Sequence, residues 1–276
     1  MKLNLSSKSN LHQRILAGLV GAATIVLLIV LNEWTFFFLF AAICVIALQE
    51  FYKMMESSGL KPNRIYGTAL GLFIFTIVFF IEYGLLHART FYMIIPIFFL
   101  LFIMELFTKH DKPFHNIAFT FLGIIYIAFP LAMLSIPAFS TGTYNYGHIL
   151  SVLLIIWATD TGAYIAGRAF GKNKLFERIS PKKTWEGSIG GAILSVATAL
   201  VLSTFFTTLS PLNWVFLALI IMVFGSFGDL VESLLKRSLD IKDSGALIPG
   251  HGGFLDRFDS LLIASPFIAA YFKILF

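Results

Sequence analysis

Long apolar runs constrain this sequence more than any other feature. Residues 15–31, 34–48, 65–81 and 91–106 each approach the ~20 apolar residues that cross a bilayer core of about 30 Å. In lipid every backbone N–H and C=O must be satisfied internally, and no segment has the alternation of a barrel strand of about ten residues. The expected fold is therefore all-α, a polytopic integral membrane helical bundle. Composition agrees: 58% of the 276 residues are hydrophobic and 13% are charged, against roughly 25% charged in soluble domains.

Further spans are expected at 116–138, 149–168, 188–207, 214–230 and 261–276, making about nine. The basic flank of Lys2, Lys8 and Arg14 before the first run resembles a signal peptide. Asn32-Glu33-Trp34 follows without a small-x-small cleavage site, so a retained anchor is expected. With the N-terminus cytoplasmic, every Lys and Arg except Arg89 and Lys273 falls on an inner segment, as the positive-inside rule asks. The net charge of +5 then follows from topology and anionic headgroups and needs no nucleic-acid partner. An inner (plasma) membrane location with chemistry facing the cytoplasm is the expectation. Residues 1–146 read as N-terminal spans and 147–276 as the functional region. Cys44, the lone cysteine, reads as a small core residue.

Two inner loops, 167–187 and 235–259, are long for connections in a compact bundle. The segment 225–260 holds six of the chain's fifteen carboxylates. Within it Asp229, Glu232, Ser233, Lys236 and Arg237 share one helical face. An ionisable stripe on a membrane helix faces the bundle interior or water and is a functional hypothesis, although snorkelling also accounts for Lys236 and Arg237. Pro249-Gly-His-Gly-Gly253 offers backbone amides unobstructed by Cβ atoms, suited to an anion. It is expected to open into a helix bearing Asp256 and Asp259 one turn apart. With Asp229, these make a candidate magnesium site that leaves positions for phosphates; a structural turn before a salt-bridged helix is the bland alternative. His251 suits a phosphate donor, an acid or base, or a loop hydrogen-bonder.

Upstream, Asp160 lies inside the sixth expected span with Tyr164 and Arg168 on its face, so its charge must be paired or wet. Ser180 followed by Pro181 reads as a helix start, which would put Lys182 and Lys183 in a first turn, an anion site. Trp185 suits an interfacial anchor better than a nucleobase stack. Gly67 with Gly71, and Gly187 with Gly191, have the spacing of close helix packing.

The residues alone thus point to a metal-dependent enzyme acting on phosphates at a membrane surface. A family resemblance sharpens this. Ser233-Leu-Leu-Lys-Arg, then Lys242-Asp-Ser-Gly, then Leu247-Ile-Pro-Gly-His-Gly-Gly-Phe-Leu-Asp-Arg-Phe-Asp259 resembles the signature of the CDP-diacylglycerol synthases, the phosphatidate cytidylyltransferases. Trp157-Ala-Thr-Asp-Thr-Gly-Ala-Tyr and Ser180-Pro-Lys-Lys-Thr-Trp-Glu-Gly also resemble that family's motifs, so the likeness covers about 150–276. It implies transfer of the cytidylyl group from CTP to phosphatidate in a membrane homodimer. It further implies magnesium, with potassium as a second ion, held by Asp229 and Asp256 with Asp259 as a third ligand. Lys236 and His251 join these carboxylates as candidate catalytic groups. Lys182, Lys183, Arg237, Lys242, Arg257, Asp160 and Ser180 become candidate substrate contacts. A CTP-dependent polyprenol or dolichol kinase is the competing enzyme; a transporter is disfavoured because the charges gather at one face.

Overall fold

A computed structural model describes residues 5–241, 244–245 and 253–276, with side chains from residue 18 onward. Nine helices run along the described chain: α1 (Leu5–Leu31), α2 (Glu33–Ser57), α3 (Arg64–Glu82), α4 (Ala88–Leu106), α5 (Pro113–Phe139), α6 (Tyr146–Phe170), α7 (Trp185–Phe205), α8 (Pro211–Ser238) and α9 (Asp259–Leu275). Seven of them, α2 to α8, are long and apolar enough to cross a membrane. The apolar part of α1, Gly18–Leu31, is shorter, and α9 has 17 residues with Pro266 inside. The chain is thus a multi-pass helical membrane protein. One departure from all-α is a small antiparallel hairpin of β1 (Lys174–Phe176) and β2 (Ser180–Thr184) between α6 and α7.

The helix starts follow local chemistry. Asn32 accepts from the Trp34 and Thr35 amides and Thr35 returns a side-chain acceptor to the Asn32 amide, a capping box. Ser210 caps α8 ahead of Pro211. The expected start at Ser180 is incorrect. Ser180 and Pro181 lie in β2, and α7 begins at Trp185 with Thr184 as its cap, the Thr184 hydroxyl accepting from the Gly187 amide at 3.2 Å. Lys182 and Lys183 accordingly sit on a strand and not in a helical first turn.

Lipid tails are as apolar as leucine, so helices here associate by close packing and polar contacts and not by expulsion of water. The glycine pairs serve that end. Gly67 lies against Tyr52, whose hydroxyl donates to the Thr120 carbonyl at 2.8 Å, and Gly71 lies against Leu48 and Ala128. Across the α6–α7 contact, a Cβ on Gly191 would stand 2.9 Å from the Thr159 carbonyl oxygen, and one on Gly162 would stand 2.6 Å from that of Gly190. Backbone meets backbone along this seam. A core of aliphatic side chains and aromatic rings, including Phe36, Phe40, Phe51, Phe75 and Phe79, fills the space among α2, α3 and their neighbours, with Cys44 buried in it. Gly162→Val should cost about 1–3 kcal/mol by overpacking, read as a drop of several degrees in the melting temperature in detergent. Gly21→Ala, where an added Cβ meets nothing within 4 Å, should melt like the parent; equal melting of the two variants would refute the seam.

Candidate active site

The polar residues gather where α2, α6 and α8 end and α9 begins. Asp160 lies in the second half of α6, Asp229, Glu232 and Lys236 lie in the last turns of α8, and Asp259 opens α9. An added Cβ at Gly228 would collide with the Asp259 carbonyl, so this glycine lets α8 and α9 come together. Asp256 and Asp259 are not on one helix, as the sequence suggested. Asp256 is in a 3₁₀ turn, Leu255–Arg257, and Phe258 separates that turn from α9. Both carboxylates nevertheless line one cavity.

Two lysines organise the carboxylates. Lys183 Nζ sits 2.8 Å from Asp229 Oδ2 and donates to the Ser226 carbonyl at 2.9 Å, tying the hairpin to α8. Lys236 Nζ donates to Asp256 Oδ1 at 2.7 Å and stands 3.4 Å from Glu232 Oε2. Glu232 is 1% exposed and finds no hydrogen-bond donor beyond that ammonium among the described residues. Ser233 donates to Asp229 Oδ1 at 3.3 Å, and Asp259 Oδ1 accepts from the Ser260 amide at 2.6 Å. Asp160, Asp229 and Asp259 lie within electrostatic reach of one another. Burial acts to raise the Asp256 carboxyl, but the facing Glu232 carboxyl, the Lys236 ammonium and the Gly253 amide outweigh it and bring Asp256 down to about 2.

A cavity of about 400 Å³ joins part of this cluster to the apolar interior. Asp160, Asp256, Arg257 and Asp259 line one part of it, and Ile25 and Ile156 another. Such a space accepts a ligand with a charged head and an apolar flank. Among the expected contacts, Lys182 and Arg237 are exposed and Ser180 is half-buried on β2. His251 and Lys242 lie outside the described residues. Among the described residues, no three His, Cys, Asp or Glu side chains are disposed to share one metal ion as they stand; ammonium groups contact Asp229 Oδ2 and Asp256 Oδ1.

Sequence reasoning missed Glu50. It is buried near the end of α2 and accepts hydrogen bonds from Ser244, Phe254 and Leu255. A partial signal was available, since an ionisable residue two positions beyond the apolar run 34–48 can lie in the same helix, as Glu50 does in α2.

A helical membrane bundle that collects carboxylates and lysines at one end, beside a cavity with polar and apolar walls, has the architecture of a membrane-embedded enzyme acting on an amphipathic phosphate. Comparison with known proteins makes that specific: the sequence matches the Cytidylyltransferase family over residues 12–275, and the chain belongs to that family. It is 34% identical over 270 residues to the phosphatidate cytidylyltransferase of Bacillus subtilis (strain 168), covering 94% of this chain and 96% of that one. The proteins of the same name from Staphylococcus saprophyticus and Staphylococcus aureus (strain COL) are each 40% identical, over 177 and 163 residues. These stretches cover 63% and 58% of this chain and 66% and 61% of the relatives. The family likeness therefore extends into the first half of the chain, beyond the signature segments.

Removing Lys236 should leave Asp256 without its counter-charge. Breaking a fully buried pair costs about 3–5 kcal/mol; the Lys236 side chain keeps 13% exposure, so Lys236→Met should fall below that range. Adding Asp256→Asn should recover part of the lost melting temperature, and failure to do so would contradict the pairing. The sign of the pH effect follows from Asp256. A carboxyl held below its ordinary value stabilises fully above about pH 4, and that stabilisation is lost as pH falls through about 2. The melting difference between the parent and Asp256→Asn should thus stay flat from pH 7 to about 4.

Proposed function

We propose that the carboxylate–lysine cluster is where this chain, a nucleotidyltransferase, joins CTP and phosphatidate to give CDP-diacylglycerol and pyrophosphate in phospholipid synthesis. A phosphate oxygen of phosphatidate attacks the α-phosphorus of CTP, and the bond to the pyrophosphate leaving group breaks. The reactants are both anionic, so the site must supply positive charge and alignment more than a protein nucleophile. The observation that carries the reading is the cavity of about 400 Å³ whose charged wall, Asp160, Asp256, Arg257 and Asp259, continues into an apolar one. That pairing suits a lipid phosphate whose chains remain in apolar surroundings.

Lys183 and Lys236 are placed to exchange a carboxylate partner for a phosphate, and Arg257 lines the same cavity. Lys182 and Arg237, both exposed, are further candidate contacts for the triphosphate or the lipid phosphate, as is Lys242 from its place in the signature sequence. The donor chemistry suits a magnesium ion: Asp160, Asp229, Glu232, Asp256 and Asp259 are oxygen donors, of which Asp229, Glu232 and Asp256 stand beside Lys183 or Lys236, and a hard cation binding few carboxylates leaves room for phosphate oxygens. Asp229, Asp256 and Asp259 would hold it, with potassium as a second ion. Such a metal offsets phosphate charge and polarises the phosphoryl group. In this reading α1 and α9 join the seven longer helices as spans, making nine. The N-terminus and the active site then face the cytoplasm from the inner membrane, and the enzyme is a homodimer.

Protein purified in detergent and supplied with magnesium, CTP and phosphatidate should release pyrophosphate and form CDP-diacylglycerol, whereas polyprenol offered in place of phosphatidate should not be phosphorylated. Asp256→Asn should lower kcat about 10²–10³-fold, the size of effect seen when one electrostatic stabiliser is lost. A folded Asp256→Asn protein with full turnover would remove Asp256 from the mechanism.

A further inference from the structure

Glu50 belongs to the half of the chain in which the sequence marks no functional residue, yet its carboxylate is 4% exposed. A carboxylate so buried requires a counter-charge or several donors. Its donors come from the signature segment. The Ser244 hydroxyl donates to Oε1 at 2.8 Å, the Phe254 amide donates at 2.8 Å to Oε2 and 3.0 Å to Oε1, and the Leu255 amide donates to Oε2 at 3.2 Å. One side chain on α2 therefore grips both edges of that segment. The two flanking glycines show how tight the grip is, for a Cβ on either Gly245 or Gly253 would stand 2.5 Å from Glu50 Oε1.

The next amide in the same turn, that of Gly253, donates to Asp256 Oδ2 at 3.2 Å, and Asp256 Oδ1 receives Lys236 at 2.7 Å. Three consecutive amides are thus divided between two carboxylates, Gly253 to Asp256, and Phe254 and Leu255 to Glu50. We infer that Glu50 is a positioning residue for the transfer reaction, clasping residues 244–245 to 253–255 so that Asp256 is held against Lys236. The inference rests on the transferase reading of the site. Glutamine at this position keeps the volume and one acceptor but points an amide N–H₂ group at N–H donors, so it releases the turn without opening a cavity.

The test measures kinetics and backbone protection together in purified full-length protein. Glu50→Gln should lower kcat about 10–100-fold, the cost of a small misplacement of a reacting group, with KM for CTP and phosphatidate within about 3-fold. Ser244→Ala, which removes one donor, should lose roughly 3–10-fold. In both, amide hydrogen exchange should quicken in the peptide spanning 253–257 while α2 and α3 keep parental protection. Parental kcat in Glu50→Gln would overturn the inference, as would a loss of kcat accompanied by faster exchange across α2. Should Glu50→Gln not fold, Ser244→Ala decides alone, and parental exchange and kcat in that variant would overturn the clasp. A parent protein that makes no CDP-diacylglycerol would instead refute the transferase reading, and exchange at 253–257 would still report on the clasp.

Discussion

A carboxylate in the interior of a membrane bundle needs a positive charge or a set of N–H donors beside it, because the medium around it returns almost none of the hydration it gave up. This protein meets the requirement in two different ways. Asp256 is neutralised by Lys236 and the more open Asp229 by Lys183, whereas Glu50 is held by amides and a hydroxyl. The first arrangement is exchangeable, since an ammonium can turn to a phosphate. The second is fixed, since backbone amides cannot leave their turn. An exchangeable charge cluster braced by a fixed one is a physical basis for a site that must both bind anions and let them go.

The bundle carries this arrangement because its helices approach closely where charges must meet. Gly228 admits the start of α9 against α8, which sets Asp259 beside Asp229, and the glycines of α6 and α7 bring Asp160 into the same group. The hairpin between α6 and α7 then delivers Lys183 to α8. None of these contacts depends on the water-driven clustering that organises soluble cores. They depend on which residues are small enough to permit contact and which are charged enough to require it.

Much of this was legible in the sequence because the relevant signals are local. Apolar runs located the helices, although α1, α2 and α8 extend well past the apolar run at one end, and Asp160, Asp229 and Lys236 stood out as charges in apolar surroundings. The misreadings have physical causes. Ser180-Pro181 matches a cap and first-turn pattern, but Thr184, four residues on, caps the helix that forms, and Pro181 serves a short strand whose pairing with β1 is a contact between segments. Asp256 and Asp259 have helical spacing, yet a 3₁₀ turn intervenes. Glu50 was not singled out: it lies just past the apolar run 34–48, and its partners lie about 200 residues away along the chain, a separation that no local pattern encodes.

The wall that α1 contributes to the cavity consists largely of Gly18, Gly21 and Ala22, which fall on one helical face. That side is bounded by main chain, while every charge lies on other elements. The girth of the chamber and its electrostatics are therefore separately adjustable. Bulkier residues on α1 would narrow the space for an apolar tail and leave the charged wall untouched, so related proteins could diverge in the shape of lipid they admit while keeping one chemistry.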